Sequence, residues 1–366
     1  MRILIAPDSF KDALPAADVC HAMAAGLRIS HPDATLREFP MADGGEGALA
    51  VLSWHLGLRS TGIETVDPLR RPLRAAYGIA EDGKTAIIEM AATAGLELLG
   101  AAERDAAATT TYGTGLMIKD AITRGVERIV LAIGGSATTD AGIGIAAATG
   151  WQFLDASGHE LPPAGDSLNS IDRIVPPLHS PAFAMDVMCD VDNPLYGPQG
   201  AAWVYGAQKG ADAGMMARLD EGLRHLATKL GRVDAAEQPG AGAAGGVGFG
   251  AVVFLKAQLH RGIDVIMDLT HFDAALAATD LVICGEGHLD AQTLRGKLIH
   301  GICQRARRFN VPVIALCGRI SASREQIEAI GLRDAICINE PGTSLLEALQ
   351  KTGANLTRTA AGLRLT

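Results

Sequence analysis

Aromatic side chains, basic runs and long apolar stretches are all scarce in this sequence. Aromatics make up 4% of the 366 residues and the formal net charge is −9. Neither the stacking platforms nor the basic patches that grip nucleic acid are therefore present. The longest window without charge, Gln238 to Leu255, is glycine-rich and shorter than the roughly 20 residues that span a bilayer. The apolar run in "MRILIAPDSF" is too short for a signal peptide. Six cysteines (Cys20, Cys189, Cys284, Cys303, Cys317, Cys337) form no C-x-x-C pair and no zinc spacing, and the ten histidines show no ligand pairing. Most of these cysteines lie in apolar segments, where a free thiol behaves as a small hydrophobe. The absences predict a reduced, cytoplasmic protein without nucleic-acid or membrane partners. No G-x-x-x-x-G-K-[ST] occurs either, which excludes a P-loop enzyme.

Glycine, by contrast, is abundant: 43 residues, gathered in short loops between apolar segments, where a bare backbone permits close approach. At the N-terminal end "RILIA", a helix near Pro15–Ser30, "TLREF" and "ALAVLSWHL" alternate as βαβα, which predicts parallel strands. "LVICG" (281–285), "VPVIALCG" (311–318) and "DAICIN" (334–339) repeat that alternation near the other end as continuous apolar runs, the mark of strands covered on both faces. Between them, "STGIETV", "LRRPLRAAYGIA" and "KTAIIEMA" are joined by a "DP" and by Glu81-Asp82-Gly83, an Asp-Gly hairpin signal that predicts antiparallel strands. The expected fold is a flavodoxin-like α/β domain with a parallel five-stranded sheet, built from residues 1–62 and 278–366. A mixed α/β domain, 63–277, is expected to interrupt it. A strand order of 2-1-3-4-5 puts a ligand beyond the carboxyl ends of the first and third strands. Those ends carry Asp8, Ser9 and Lys11, and Glu286 with Asp290; Asp43 and Glu46 follow the second strand.

The stretch "IGGSATTDAGIG" (133–144) links an apparent strand, "ERIVLAI", to a small-residue helix. Glycines, three hydroxyls and a helix N-terminus together suit an anion, since backbone N–H groups converge there. A plain structural turn would use the glycines but would not need the hydroxyls. Asp140 suits either a cap on the following helix or a water-mediated magnesium contact, with the cap preferred. "MDVMCDVDNP" runs a strand into Asp190 and Asp192: Asp192 reads as a turn residue, Asp190 as a functional acid. Lys11, Lys209 and Lys297 lie in loop or glycine-rich contexts where a lysine can neutralise phosphate, although a solvated lysine would look the same. "TTTYGTG" (109–115) is a further hydroxyl-rich helix entry. Two glycine patterns invite a dinucleotide reading. "GAGAAG" (240–245) follows a Gln-Pro linker and reads as a flexible loop, whereas Gly142–Ala147 keeps a dehydrogenase open as the alternative.

Nine motifs appear in order: "IAPDSFK", "ADGGEG", "TTTYGTG", "IGGSAT-x-D", "CDV-x-NPL-x-G", "GPQGA", "QKGA", "PGAGAAGG-x-G" and "GEG-x-LD-x-Q". Together they resemble the type 1 glycerate kinases, the bacterial glycerate 2-kinase family. Thr139 stands where the family usually has Asn, Ala141 and Asp12 where it has Gly, and His288 where it has Arg. The resemblance implies magnesium-dependent transfer from ATP to D-glycerate, usually giving 2-phosphoglycerate, with the 3-hydroxyl as the alternative acceptor. Phosphoryl transfer needs positioning and charge stabilisation. On this basis Gly134, Gly135, Ser136, Ala137, Thr138 and Thr139 are expected to cradle the triphosphate, with Lys209 as a clamp. Asp190 would hold magnesium or orient the acceptor hydroxyl. Lys11 and Asp43 are expected to act in catalysis, and Asp8, Ser9, Glu286 and Asp290 to bind substrate.

Overall fold

The structure, a computed structural model, describes residues 1–45, 47–179, 182–290 and 298–365. In chain order the strands are β1 (Arg2–Pro7), β2 (Thr35–Glu38), β3 (Arg59–Val66), β4 (Pro72–Ile79), β5 (Thr85–Glu89), β6 (Arg128–Ala132), β7 (Gln152–Leu154), β8 (Arg173–Val175), β9 (Ala184–Met188), β10 (Gln258–His260), β11 (Leu281–Leu289), β12 (Val313–Ile320) and β13 (Asp334–Cys337). The chain forms two compact units, Met1–His55 with Ile263–Thr366, and Leu56–Gly262.

The first unit is a five-stranded, wholly parallel sheet in the order β13-β12-β11-β1-β2. "LVICG" lies beside "RILIA", with Ile3 opposite Leu281 and Ile5 opposite Ile283. Counted along this unit the order is 2-1-3-4-5, the flavodoxin-like arrangement that the two βαβα patterns predict. Ile3, Leu4, Ile5 and Ala6 are all buried, as befits a central strand covered on both faces. The helix Ala16–Ser30 packs on Thr352–Ala361. Gly26 makes that approach possible, because a Cβ there would overlap the Thr357 carbonyl oxygen.

The second unit holds a six-stranded sheet in the order β10-β9-β6-β5-β4-β3 and a two-stranded β7-β8 ribbon. The hairpins β3-β4 and β4-β5 are antiparallel, the latter turning at Gly83 with φ +70°. The other half, β5-β6-β9-β10, is parallel, which the hairpin signals did not predict. β5 and β6 are joined through the helix Tyr112–Thr123, a crossover that leaves no local turn signature. One cluster of buried side chains, with Ile88, Leu131 and Val187, belongs to this sheet; another, with Phe153, Leu223 and Phe249, lies among helices of the same unit.

"GAGAAG" proves to be a structured segment rather than a flexible linker. Ala244, Gly245 and Gly246 carry left-handed φ values of 52°, 69° and 93° at the start of the helix Ala243–Leu255, and both glycines are buried. Among the described residues no helix is long and apolar enough to cross a membrane.

Candidate active site

In the second unit, β5, β6 and β9 run parallel and in register, with Glu89 opposite Ala132 and Ala132 opposite Met188. The chain after each strand leaves at one carboxyl edge, where α/β sheets take their ligands. "IGGSATTD" emerges there from β6. Gly135 is left-handed (φ +72°), a conformation that favours glycine. The loop is pinned from one side: Leu96 N donates to Gly135 O (2.8 Å) and Ala137 N to Ala94 O (2.8 Å). The Ala137 N–H is thereby committed and cannot serve a ligand. Gly134 and Gly135 are exposed, whereas Ser136 to Asp140 are buried.

Lys209 supports the loop from within. Its side chain is 2% exposed, and its ammonium donates to Ser136 Oγ (2.8 Å) and Thr138 O (2.7 Å). Burial lowers the lysine to about 7, opposed by the charge of Asp140. The Thr138 and Thr139 hydroxyls are buried and have no hydrogen-bond partner among the described residues.

Asp140 accepts from Thr111 N (2.8 Å), Thr111 Oγ1 (2.8 Å), Gly142 N (3.0 Å) and Gly144 N (3.3 Å). It therefore caps the helix Ile143–Ala148 and ties it to "TTTYGTG". Burial raises its carboxyl against the pull of these four bonds. Thr109 Oγ1 donates to Ala137 O (3.0 Å), so the threonine run secures the loop as well as opening a helix.

The glycine-rich segment completes the bed. A Cβ at Gly245 would overlap Thr138 O, one at Gly250 would overlap Ala141 O, and Ala141 N donates to Gly245 O (3.0 Å). Local sequence could not reveal this contact, which joins residues about a hundred positions apart. The neighbouring strand β9 delivers Asp190 to the same edge. It is exposed, and its Oδ1 accepts from Gly262 N (2.9 Å).

In the first unit, the edge at β2, β1 and β11 gathers a different chemistry. Asp8 N donates to Gly285 O (2.8 Å) and Met41 N to Pro7 O (2.9 Å), so the chain beyond β1 and β2 stays in step with β11. Asp8 Oδ1 accepts from Ser9 N (2.6 Å) and Asp43 Oδ1 from Gly45 N (3.0 Å). Burial, then the negative charges of Asp43 and Glu286, push the Asp8 carboxyl well above the usual range; its bond from Ser9 N opposes them. Glu286 is buried on β11. Lys11 is exposed on the β1 loop, and a Cβ at Gly287 would lie 3.8 Å from its backbone nitrogen. Asp290 is half-buried at the end of this edge, with His288 Nδ1 3.9 Å from its carboxylate. Asp8, Ser9, Lys11, Asp43, Glu286 and Asp290 thus belong to this edge; Asp190, Lys209 and residues 134–139 belong to the other unit. Glu46 and Lys297 lie outside the described residues.

A flavodoxin-like sheet with an acidic edge, and a mixed sheet whose edge carries a glycine-and-hydroxyl loop over a buried lysine, define an α/β protein of the class that takes its ligands at strand ends. The glycerate kinase family model matches residues 3–365. Similar proteins include a Bacillus subtilis glycerate kinase, 41% identical over 98% of this chain and 96% of the relative. An Escherichia coli glycerate 2-kinase is 38% identical over 100% of this chain and 98% of its own. A crystal structure from Salmonella typhimurium LT2, provisionally assigned as glycerate kinase 2, superposes with a TM-score of 0.88 at 40% identity, covering 99% of this chain and 96% of the other. The chain belongs to the glycerate kinase family, and the enzyme is a phosphotransferase.

Proposed function

We propose that the enzyme transfers the γ-phosphoryl group of ATP to the 2-hydroxyl of D-glycerate, giving 2-phosphoglycerate and ADP. The observation that carries the nucleotide half is the loop Gly134–Thr139. Its two glycines are exposed, and its Ser136 hydroxyl and Thr138 carbonyl are braced by a buried ammonium. Backbone donors and positive charge held ready in this way suit polyphosphate. Lys209 acts from beneath, fixing the loop and adding positive charge. In the first unit, the acidic edge would take glycerate, with Lys11 and Ser9 meeting the carboxylate and hydroxyls and Asp290 completing the edge.

The acceptor oxygen attacks the γ-phosphorus as the bond to the β–γ bridging oxygen breaks. The hydroxyl proton passes to a carboxylate, for which Asp43 is the candidate. Among the described residues no group of three or more His, Cys, Asp or Glu side chains could hold a metal ion unaided. The donor set fits magnesium nonetheless, because this ion is usually held by one or two carboxylates with water and substrate phosphates. Asp190, exposed at its strand end, is the residue assigned to hold it; there magnesium would neutralise phosphate charge. The six thiols, free in the structure, suit a cytoplasmic setting. The relative named glycerate 2-kinase supports the 2-hydroxyl as acceptor. Phosphorus NMR of the product formed from D-glycerate and ATP tests the proposal. The 2-phosphate resonance is expected; a 3-phosphate alone would overturn the regiochemistry, and ADP release independent of glycerate would overturn the acceptor.

A further inference from the structure

Arg104 has no role in the site described above. Its Nε is buried and without a hydrogen-bond partner among the described residues. Both neighbouring acids are committed elsewhere. Glu103 accepts from Arg71 Nη1 (2.6 Å) and Gly100 N (3.0 Å), and Asp105 Oδ1 from Ala107 N (2.9 Å) and Ala108 N (3.0 Å). A buried guanidinium N–H without an acceptor is costly to the folded protein.

Its place in the unit suggests what the anion is. The main chain of Arg104 packs against Gly210, the residue after Lys209, so closely that a Cβ at Gly210 would overlap the Arg104 carbonyl oxygen. Five residues on, Thr109 Oγ1 donates to Ala137 O (3.0 Å). The segment 104–109 therefore runs from the buried lysine to the loop that the lysine braces. We propose that Arg104 is an additional ligand for the polyphosphate of the nucleotide, its charge left uncompensated by the protein because the substrate supplies the partner. This rests on the reading of the 134–139 loop as the nucleotide site. A guanidinium offers two parallel donors to phosphate oxygens, a geometry that a lysine cannot reproduce.

Calorimetric titration of ATP, AMP and inorganic tripolyphosphate into the full-length enzyme tests this, using Arg104→Met and Arg104→Lys with Ser136→Asp in parallel. Arg104→Met is expected to bind ATP and tripolyphosphate roughly ten- to a hundredfold more weakly, as loss of a charged hydrogen bond can cause, with little change for AMP. Without ligand it should melt at or above the wild-type temperature, since no protein hydrogen bond is lost and a buried unpartnered N–H is removed, while its stabilisation by ATP shrinks. Arg104→Lys should fold normally and fall between the two in ATP affinity. Wild-type ATP affinity in Arg104→Met, with Ser136→Asp impaired, would overturn the role of Arg104 and leave the loop reading intact. Wild-type affinity in both variants would remove the nucleotide site itself. A strongly destabilised Arg104→Met, or an effect confined to the glycerate KM, would also overturn the proposal, by showing a structural partner or a carboxylate site instead.

Discussion

Lys209 is a lysine whose whole surroundings argue against its charge, except for Asp140 and two acceptor oxygens. The folded state lowers it from 10.5 to about 7, so between those values the unfolded chain holds a proton that the folded one has released. Stability must then rise with pH across that window. Lys209→Met lacks this contribution, so the wild type is expected to gain on the variant as pH rises from about 7 towards 10. Paired thermal melts across that range would check it; a constant difference would mean that the ammonium is solvated. Little of this was legible in "QKGA", which offered only a lysine among small residues. Asp140 was easier to read, because an acid at the mouth of a helix follows the local logic of capping. Its exchange with Thr111 was not, because the two residues meet only through folding.

At the level of elements, the two βαβα patterns were enough to give the parallel sheet of the first unit and put Asp8 and Glu286 on one edge. In the second unit the hairpins declared themselves through Gly83, but the parallel pairs β5-β6 and β6-β9 did not, being joined across long connections. The glycines of "GAGAAG" were similarly opaque: their function lies in what they touch. Gly245 and Gly231 make a useful pair, with φ values of +69° and +64°. A Cβ at Gly231 meets nothing within 4 Å, whereas one at Gly245 overlaps Thr138 O. Both alanine variants carry the left-handed penalty of ~1–2 kcal/mol; only Gly245→Ala adds displacement of the 134–139 loop. Gly245→Ala is therefore expected to melt well below Gly231→Ala and to raise the ATP KM, while Gly231→Ala keeps wild-type kinetics. Equal melting and kinetics in the two would mean that the glycine bed does not position the loop.

Seen as a whole molecule, the chain joins a unit made from its two ends to one that is continuous, Leu56–Gly262. That continuity has a physical consequence. The second unit has its own six-stranded sheet and buried clusters on the sheet and among its helices. Residues 134–139, Lys209, Asp140, Asp190 and the glycine bed all lie within it. At about 200 residues it also falls within the ordinary size range of an autonomous domain. Residues 56–262 expressed alone are therefore expected to unfold in one cooperative thermal transition. On the proposed reading of the 134–139 loop they should also bind ATP, because the loop and its supports travel together, yet transfer no phosphate, since Asp8, Asp43 and Glu286, proposed for glycerate and catalysis, belong to the other unit. Circular dichroism melts and ATP titration of the fragment would check both expectations. A fragment that melts cooperatively but ignores ATP would place the nucleotide site outside the second unit; one that never folds would show that its core depends on the rest of the chain.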